Sequence, residues 1–189
     1  MVTIVQKDDP VLRQEARRVP EGMFGTPALR KILKDMSAAL ASQDDGVAIA
    51  APQIGVSLRI FVVSGSVMEM LYPEQSRGTG KPKKAKDIVF INPEILRLSK
   101  DREELEEGCL SVRYLYGKIS RAKKARIAAR DEKGRAFELS GSGLLAQIFQ
   151  HETDHLDGTL FIDNATDLHD VPPEEARRNL RRDLQNEDE

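Results

Sequence analysis

Two of the chain's three histidines lie four residues apart, in His151-Glu152-Thr153-Asp154-His155, and this pattern constrains the fold more than any other feature. On a helix, residues at i and i+4 share a face, so both imidazoles can reach one metal ion. Glu152 then sits beside the ion without binding it, where it can take a proton from water. The plain alternative is a surface helix with two incidental histidines. A catalytic site of this kind needs a third protein ligand and an open position for water. The residues after His155 follow the spacing HExxHxxGxxH as far as the last letter, where Phe161 stands and cannot bind a metal. His169, beside Asp170 and Pro172, reads as exposed. Asp157 and Asp163 are near enough to be candidates, although Asp157 with Gly158 reads as the helix end.

Cys109 is the better candidate. It is the only cysteine, so an internal disulfide is impossible. The chain shows neither a signal peptide nor an apolar run that could span a bilayer, and a reducing compartment, the cytoplasm or an organelle interior, is expected. A lone cysteine is commonly a small buried hydrophobe. On the residues alone, ligand and core cysteine both stay open.

Three segments, in order, resemble the peptide deformylase family. Gly46-Val47-Ala48-Ile49-Ala50-Ala51-Pro52-Gln53-Ile54-Gly55 is similar to its first motif, Glu107-Gly108-Cys109-Leu110-Ser111 to its second, and Gln150-His151-Glu152-Thr153-Asp154-His155-Leu156 to its third. Pro10-Val11-Leu12-Arg13, Ile91-Asn92-Pro93 and Gly158-Thr159-Leu160-Phe161-Ile162-Asp163 agree as flanks, so the likeness covers roughly residues 4 to 165. Ala48, Thr153, Arg113 and Tyr116 depart from the family's usual residues. They touch substrate preference and leave the ligands and the base in place.

The resemblance implies a metal hydrolase that removes the N-formyl group from the N-terminal methionine of nascent polypeptides. Cys109, His151 and His155 would hold the metal, and Glu152 would be the base. The Gln53 side-chain amide and the Leu110 N–H would face the oxyanion, and Glu107 and Arg121 would form a supporting ion pair. Val47, Ala48 and Gly108 would meet the peptide, with small residues letting its backbone approach in extended form. A Cys-His-His set accepts Zn²⁺, Fe²⁺, Co²⁺ or Ni²⁺. The resemblance implies Fe²⁺ in cells, with another ion possible in a purified sample. Leu144, Gln147 and Ile148 precede His151 by seven, four and three residues, so they share its face and should line the pocket for the first side chain. Leu144 and Ile148 suit methionine. Gln147 either turns to the helix flank or makes the pocket less methionine-selective.

The rest of the chain reads as one globular domain. Its 189 residues can bury a core without staples, and with no tryptophan that core is aliphatic. The net charge of −2 gives no general pull toward nucleic acid. The clusters Arg77, Lys81, Lys83, Lys84, Lys86 and Lys118, Arg121, Lys123, Lys124, Arg126 read as solvated surface rather than RNA contacts. Thr26-Pro27 caps a helix over 27–42 with the stripe Leu29, Ile32, Leu33, Met36, Leu40. Strands are expected at 59–63 and 88–91, an exposed loop at 64–87, a hairpin around Asp131-Glu132-Lys133-Gly134, and the metal helix over 142–157. The expected class is α+β, with mainly antiparallel strands packed around a central metal-binding helix and with an N-terminal and a C-terminal helix. Residues 1–170 form the metallohydrolase domain, and 171–189 a C-terminal helix and acidic tail. Pro172-Pro173-Glu174-Glu175 starts that helix. Its stripe Arg177, Arg178, Arg181, Arg182 is either a ribosome contact, as the resemblance implies, or a solvated helix end.

Overall fold

The computed structural model describes residues 2–71, 85–172 and 174. Within them, eight strands form two antiparallel sheets, and three helices flank or thread them. The expected first helix is α1, Pro27–Ala41. The Thr26 hydroxyl accepts from the Leu29 N–H at 3.2 Å, and the Leu29, Leu33, Met36 and Leu40 stripe is buried.

Strands β1 (Ala48–Ala50), β2 (Ile60–Val63), β3 (Ile88–Leu98), β6 (Lys124–Arg130) and β7 (Ala136–Ser142) form a five-stranded sheet in the order β1-β2-β3-β6-β7. β4 (Arg102–Cys109), β5 (Val112–Ala122) and β8 (Thr166–Asp170) form the second sheet. The metal helix, α3, is Gly143–Leu156. It buries Leu145, Ala146, Ile148 and Phe149 in one cluster with Phe61 and Phe90. Phe149 packs tilted against Phe90, with ring centroids 5.4 Å apart. Gln150 fastens the helix to β5, donating to the Ala122 carbonyl at 3.0 Å and accepting the Ala122 N–H at 2.9 Å. A helix buried on this many sides holds its side chains in place through packing rather than intrinsic propensity.

The structure corrects several expectations. Residues 65–71 form helix α2 (Gly65–Leu71) rather than an exposed loop. The Asp87 carboxylate accepts the Gly65 N–H and the Ser64 hydroxyl accepts the Ser66 N–H, satisfying its first turn. β3 runs well past Ile91 because Pro93, which lacks an N–H, is absorbed at a register shift between Ile91 and Glu94. The acidic run Glu103 to Glu107 is a strand, β4, paired through its whole length with β5. Glu103, Glu104 and Glu106 are exposed and Glu107 alone in the strand is buried, so charge hid a strand that no apolar alternation marked. β8 was not expected either. Arg121, assigned to a solvated cluster, is 6% exposed. Residues 72–84 and the predicted C-terminal helix with its arginine stripe lie outside the described residues.

Candidate metal centre and peptide cleft

β4 and β5 meet at a tight reversal, with Cys109 paired to Val112 after a register shift at Gly108. That reversal points Cys109 at α3. Cys109 Sγ and one ring nitrogen from each of His151 and His155 all lie within 4.8 Å of one another, and Sγ is 3.1 Å from His155 Nε2. Ligand bonds of about 2.0–2.3 Å from a common ion bring such donors to comparable separations. Thiolate and imidazoles are also the donor chemistry a zinc- or iron-class divalent ion takes. The residues present therefore fit the ion.

Burial pushes the Cys109 thiol up, but the adjacent His155 and His151 outweigh it and draw its pKa down to about 5. It is a thiolate at neutral pH, ready to bind. Two further donors surround the sulfur: the Gln53 amide at 3.5 Å and the Ser111 N–H at 3.4 Å.

Glu107 supports His151 from behind. Its Oε2 meets His151 Nδ1 at 2.9 Å and accepts from Arg121 Nη2 at 2.9 Å. Its Oε1 accepts from Arg121 Nε at 2.7 Å and from Gln147 Nε2 at 3.3 Å. Arg121 Nη1 reaches Asp154, one turn along α3, at 2.6 Å. Burial pushes the Glu107 carboxyl up, yet the bonds from Arg121 and His151 hold it down at about 2. A permanent carboxylate on Nδ1 keeps that nitrogen protonated and leaves Nε2 for the ion. Ser111, Asp154 and Asp45 are participants the sequence reading missed. The first two lie inside the motifs and could have been found there, whereas Asp45 carries no signal in the sequence.

Glu152 is 4% exposed, and its Oε2 is buried with no hydrogen-bond partner among the described residues. An orphaned carboxylate oxygen is costly unless a reacting group uses it. Burial lifts its pKa to about 7, partly offset by the neighbouring histidines. His155 Nδ1 is the other such orphan, and nothing in the structure explains it.

One cavity takes in Cys109, His151 and Glu152 and is lined by Val47, Ala48, Gly108, Leu144, Gln147 and Ile148. Gln53 and Leu110 line it too. Gln53 Oε1 accepts the Ala50 N–H at 2.8 Å, so its Nε2 turns toward Cys109 and Ser111. Gly108 is required by crowding, since a Cβ there would lie 2.4 Å from the Tyr116 ring. The remaining candidates lie apart from the metal cluster. Asp157 pairs with Arg59, Asp163 with Arg13, and exposed His169 with Glu106.

The sequence profile described as polypeptide deformylase matches residues 1–171. This chain belongs to that family. A peptide deformylase of Desulforudis audaxviator is 38% identical over 166 residues, 88% of this chain and 94% of that protein. The crystal structure of a peptide deformylase from Legionella pneumophila is 34% identical with a TM-score of 0.73, covering 100% of this chain and 95% of that one. A Met-Ala-Ser-bound class I type b peptide deformylase from Acinetobacter baumannii is 30% identical with a TM-score of 0.72, covering 87% and 99%. The chain is thus a metal-dependent deformylase, an amide hydrolase that takes the N-formyl group off nascent chains.

Proposed function

We propose that Cys109, His151 and His155 hold one divalent ion, Fe²⁺ in the cell, and that Glu152 moves the proton in deformylation. The observation carrying this reading is the buried, unpartnered Glu152 carboxylate beside the three donor side chains. When bound, the ion supplies Lewis acidity and makes water acidic enough to ionise near neutral pH. Glu152 would take a proton from the attacking water, whose oxygen adds to the formyl carbon. The C–N bond then breaks, Glu152 returns the proton to the departing amine, and formate leaves. Burial raises the Glu152 carboxyl above its ordinary value, which favours uptake of a proton. The Gln53 Nε2 and the Leu110 N–H are the donors for the oxyanion.

β1 is an edge strand of its sheet, so its outer side suits an extended peptide, with Val47 and Ala48 nearest the reacting carbonyl. Gly108 lines the same cavity, and Leu144, Ile148 and Gln147 are its lining for the first side chain. N-formylmethionyl peptides are the substrates, and the Met-Ala-Ser complex of the Acinetobacter relative supports that assignment. The test is formate release from formyl-Met-Ala-Ser beside its acetyl analogue. Only the formyl peptide should turn over, and equal rates would overturn the reading. Metal analysis after oxygen-free purification should find iron.

Among the described residues no helix is long and apolar enough to cross a membrane. The lone cysteine and the bacterial relatives support a cytoplasmic site of action. Arg177, Arg178, Arg181 and Arg182 support a salt-sensitive ribosome contact. Truncation after Pro172 should remove co-sedimentation with ribosomes while peptide turnover stays intact, and equal sedimentation of both forms would refute the contact.

A further inference from the structure

Gln147 is the one amide among the side chains that α3 contributes to the cavity, where Leu144 and Ile148 are its neighbours on the same face. Its Nε2 lies 3.1 Å from the Glu106 carbonyl and 3.3 Å from Glu107 Oε1. The Glu106 carbonyl can only accept, and Glu107 already takes two hydrogen bonds from the Arg121 guanidinium, so it too faces Gln147 as an acceptor. An amide oxygen in that position would face two acceptors, so the orientation is determined: nitrogen toward β4, oxygen away from it. Rotation about the last torsion would break two hydrogen bonds at once. With Nε2 tied to β4, the amide atom Gln147 has left to offer is Oε1, an acceptor.

We infer that Gln147 is a specificity-determining residue, and that it widens the first side-chain pocket to formylated N-termini whose first side chain is unbranched and bears an N–H or O–H donor. The inference rests on the deformylase reading above and names the substrate class of that same pocket. Methionine and norleucine bring no donor to Oε1 and gain only burial against Leu144 and Ile148. A glutamine side chain, of similar length, brings an amide N–H that Oε1 can accept. In a purely apolar pocket that amide would be stripped of water with nothing to replace it, and such a site rejects it. Here the loss is met by one fixed partner, so discrimination against it is reduced.

The experiment measures kcat/KM by formate release for formyl-Met-Ala-Ser, formyl-Nle-Ala-Ser and formyl-Gln-Ala-Ser, with the metal-loaded wild type and Gln147→Leu. Wild type should prefer norleucine over glutamine by less than about tenfold. In Gln147→Leu that ratio should rise by about tenfold or more, the usual cost of leaving a buried amide unpaired. Loss of the bond to Glu107 lowers all three substrates together and cancels in the ratio. The wild-type profile needs no variant to fold: a norleucine-to-glutamine ratio above about a hundred there, as an apolar pocket gives, would overturn the inference. A ratio unchanged in Gln147→Leu would also overturn it. Either result with formyl-Met-Ala-Ser still cleaved leaves the deformylase reading standing. Absence of formyl-Met-Ala-Ser cleavage by wild type would sink both.

Discussion

The floor and the rim of the cavity are both held by arginine–carboxylate pairs, yet the two are built differently. At the floor, the Glu107 and Arg121 side chains are 3% and 7% exposed, and Glu107 meets four donors from three residues. At the rim, Arg113 meets Asp45 at 2.7 Å, with exposures of 23% and 15%, and also bonds Gln43. The floor pair braces a metal ligand. The rim pair joins the segment before β1 to the start of β5, tying the two sheets together across the cleft. Chemistry therefore belongs to the floor, and the width and lining of the entrance to the rim, where Tyr114 and Tyr116 also stand. Desolvation makes the first arrangement intolerant of change and the second adjustable.

The largest effect should come from Glu152 at the floor. Glu152→Ala keeps all three ligands, so metal content by elemental analysis should be unchanged while turnover falls ~10²–10⁴-fold, the usual worth of general acid–base transfer. Near-normal turnover in the loaded variant would remove the proton-transfer role from this residue.

Glu107→Gln should weaken metal binding by ~10–100-fold, the typical cost of losing a ligand's supporting carboxylate. It also leaves Asp154 as the one carboxylate on buried Arg121, which should cost up to about 3 kcal/mol of stability. The pH dependence has a definite sign. Folding lowers the Glu107 pKa from 4.5 to about 2, so its contribution is full above 4.5 and is lost as pH falls toward 2. Denaturant unfolding of the metal-free protein should show that decline, and Glu107→Gln should flatten it. An identical acid profile in both proteins would show that the floor is no better bound than the rim.

At the rim, Arg113→Met should raise KM several-fold with kcat nearly unchanged, since a part-exposed pair is worth about 1 kcal/mol or less. The effect should grow with peptide length. A fall in kcat alone would mean that this bridge positions reacting groups and that the floor–rim distinction fails.

The same division governs how much the sequence disclosed. His151 and His155 announced themselves through helical spacing, and α1 through its Thr26 cap and apolar stripe, because both signals are local. Cys109 was joined to them only by resemblance, since no local pattern brings residue 109 to residue 155. β4 was hidden because it is acidic and largely exposed, with Glu107 its one buried residue, so no apolar alternation marks it. The bridge from Asp45 to Arg113 spans 68 residues, and neither side chain sits in a pattern that declares a partner. Gln147 was placed on the right face by its spacing from His151, but its orientation was fixed by β4, whose position only the fold supplies.

The central claim is that Cys109 completes a metal site with His151 and His155. Cobalt substitution tests it most directly, because a thiolate ligand gives Co²⁺ an intense charge-transfer band in the near ultraviolet. The wild-type cobalt protein should show that band, and Cys109→Ser should lose the band together with most of its affinity for the ion. A cobalt protein without the band, and a Cys109→Ser variant that keeps its metal, would make Cys109 a core residue and place the third ligand elsewhere.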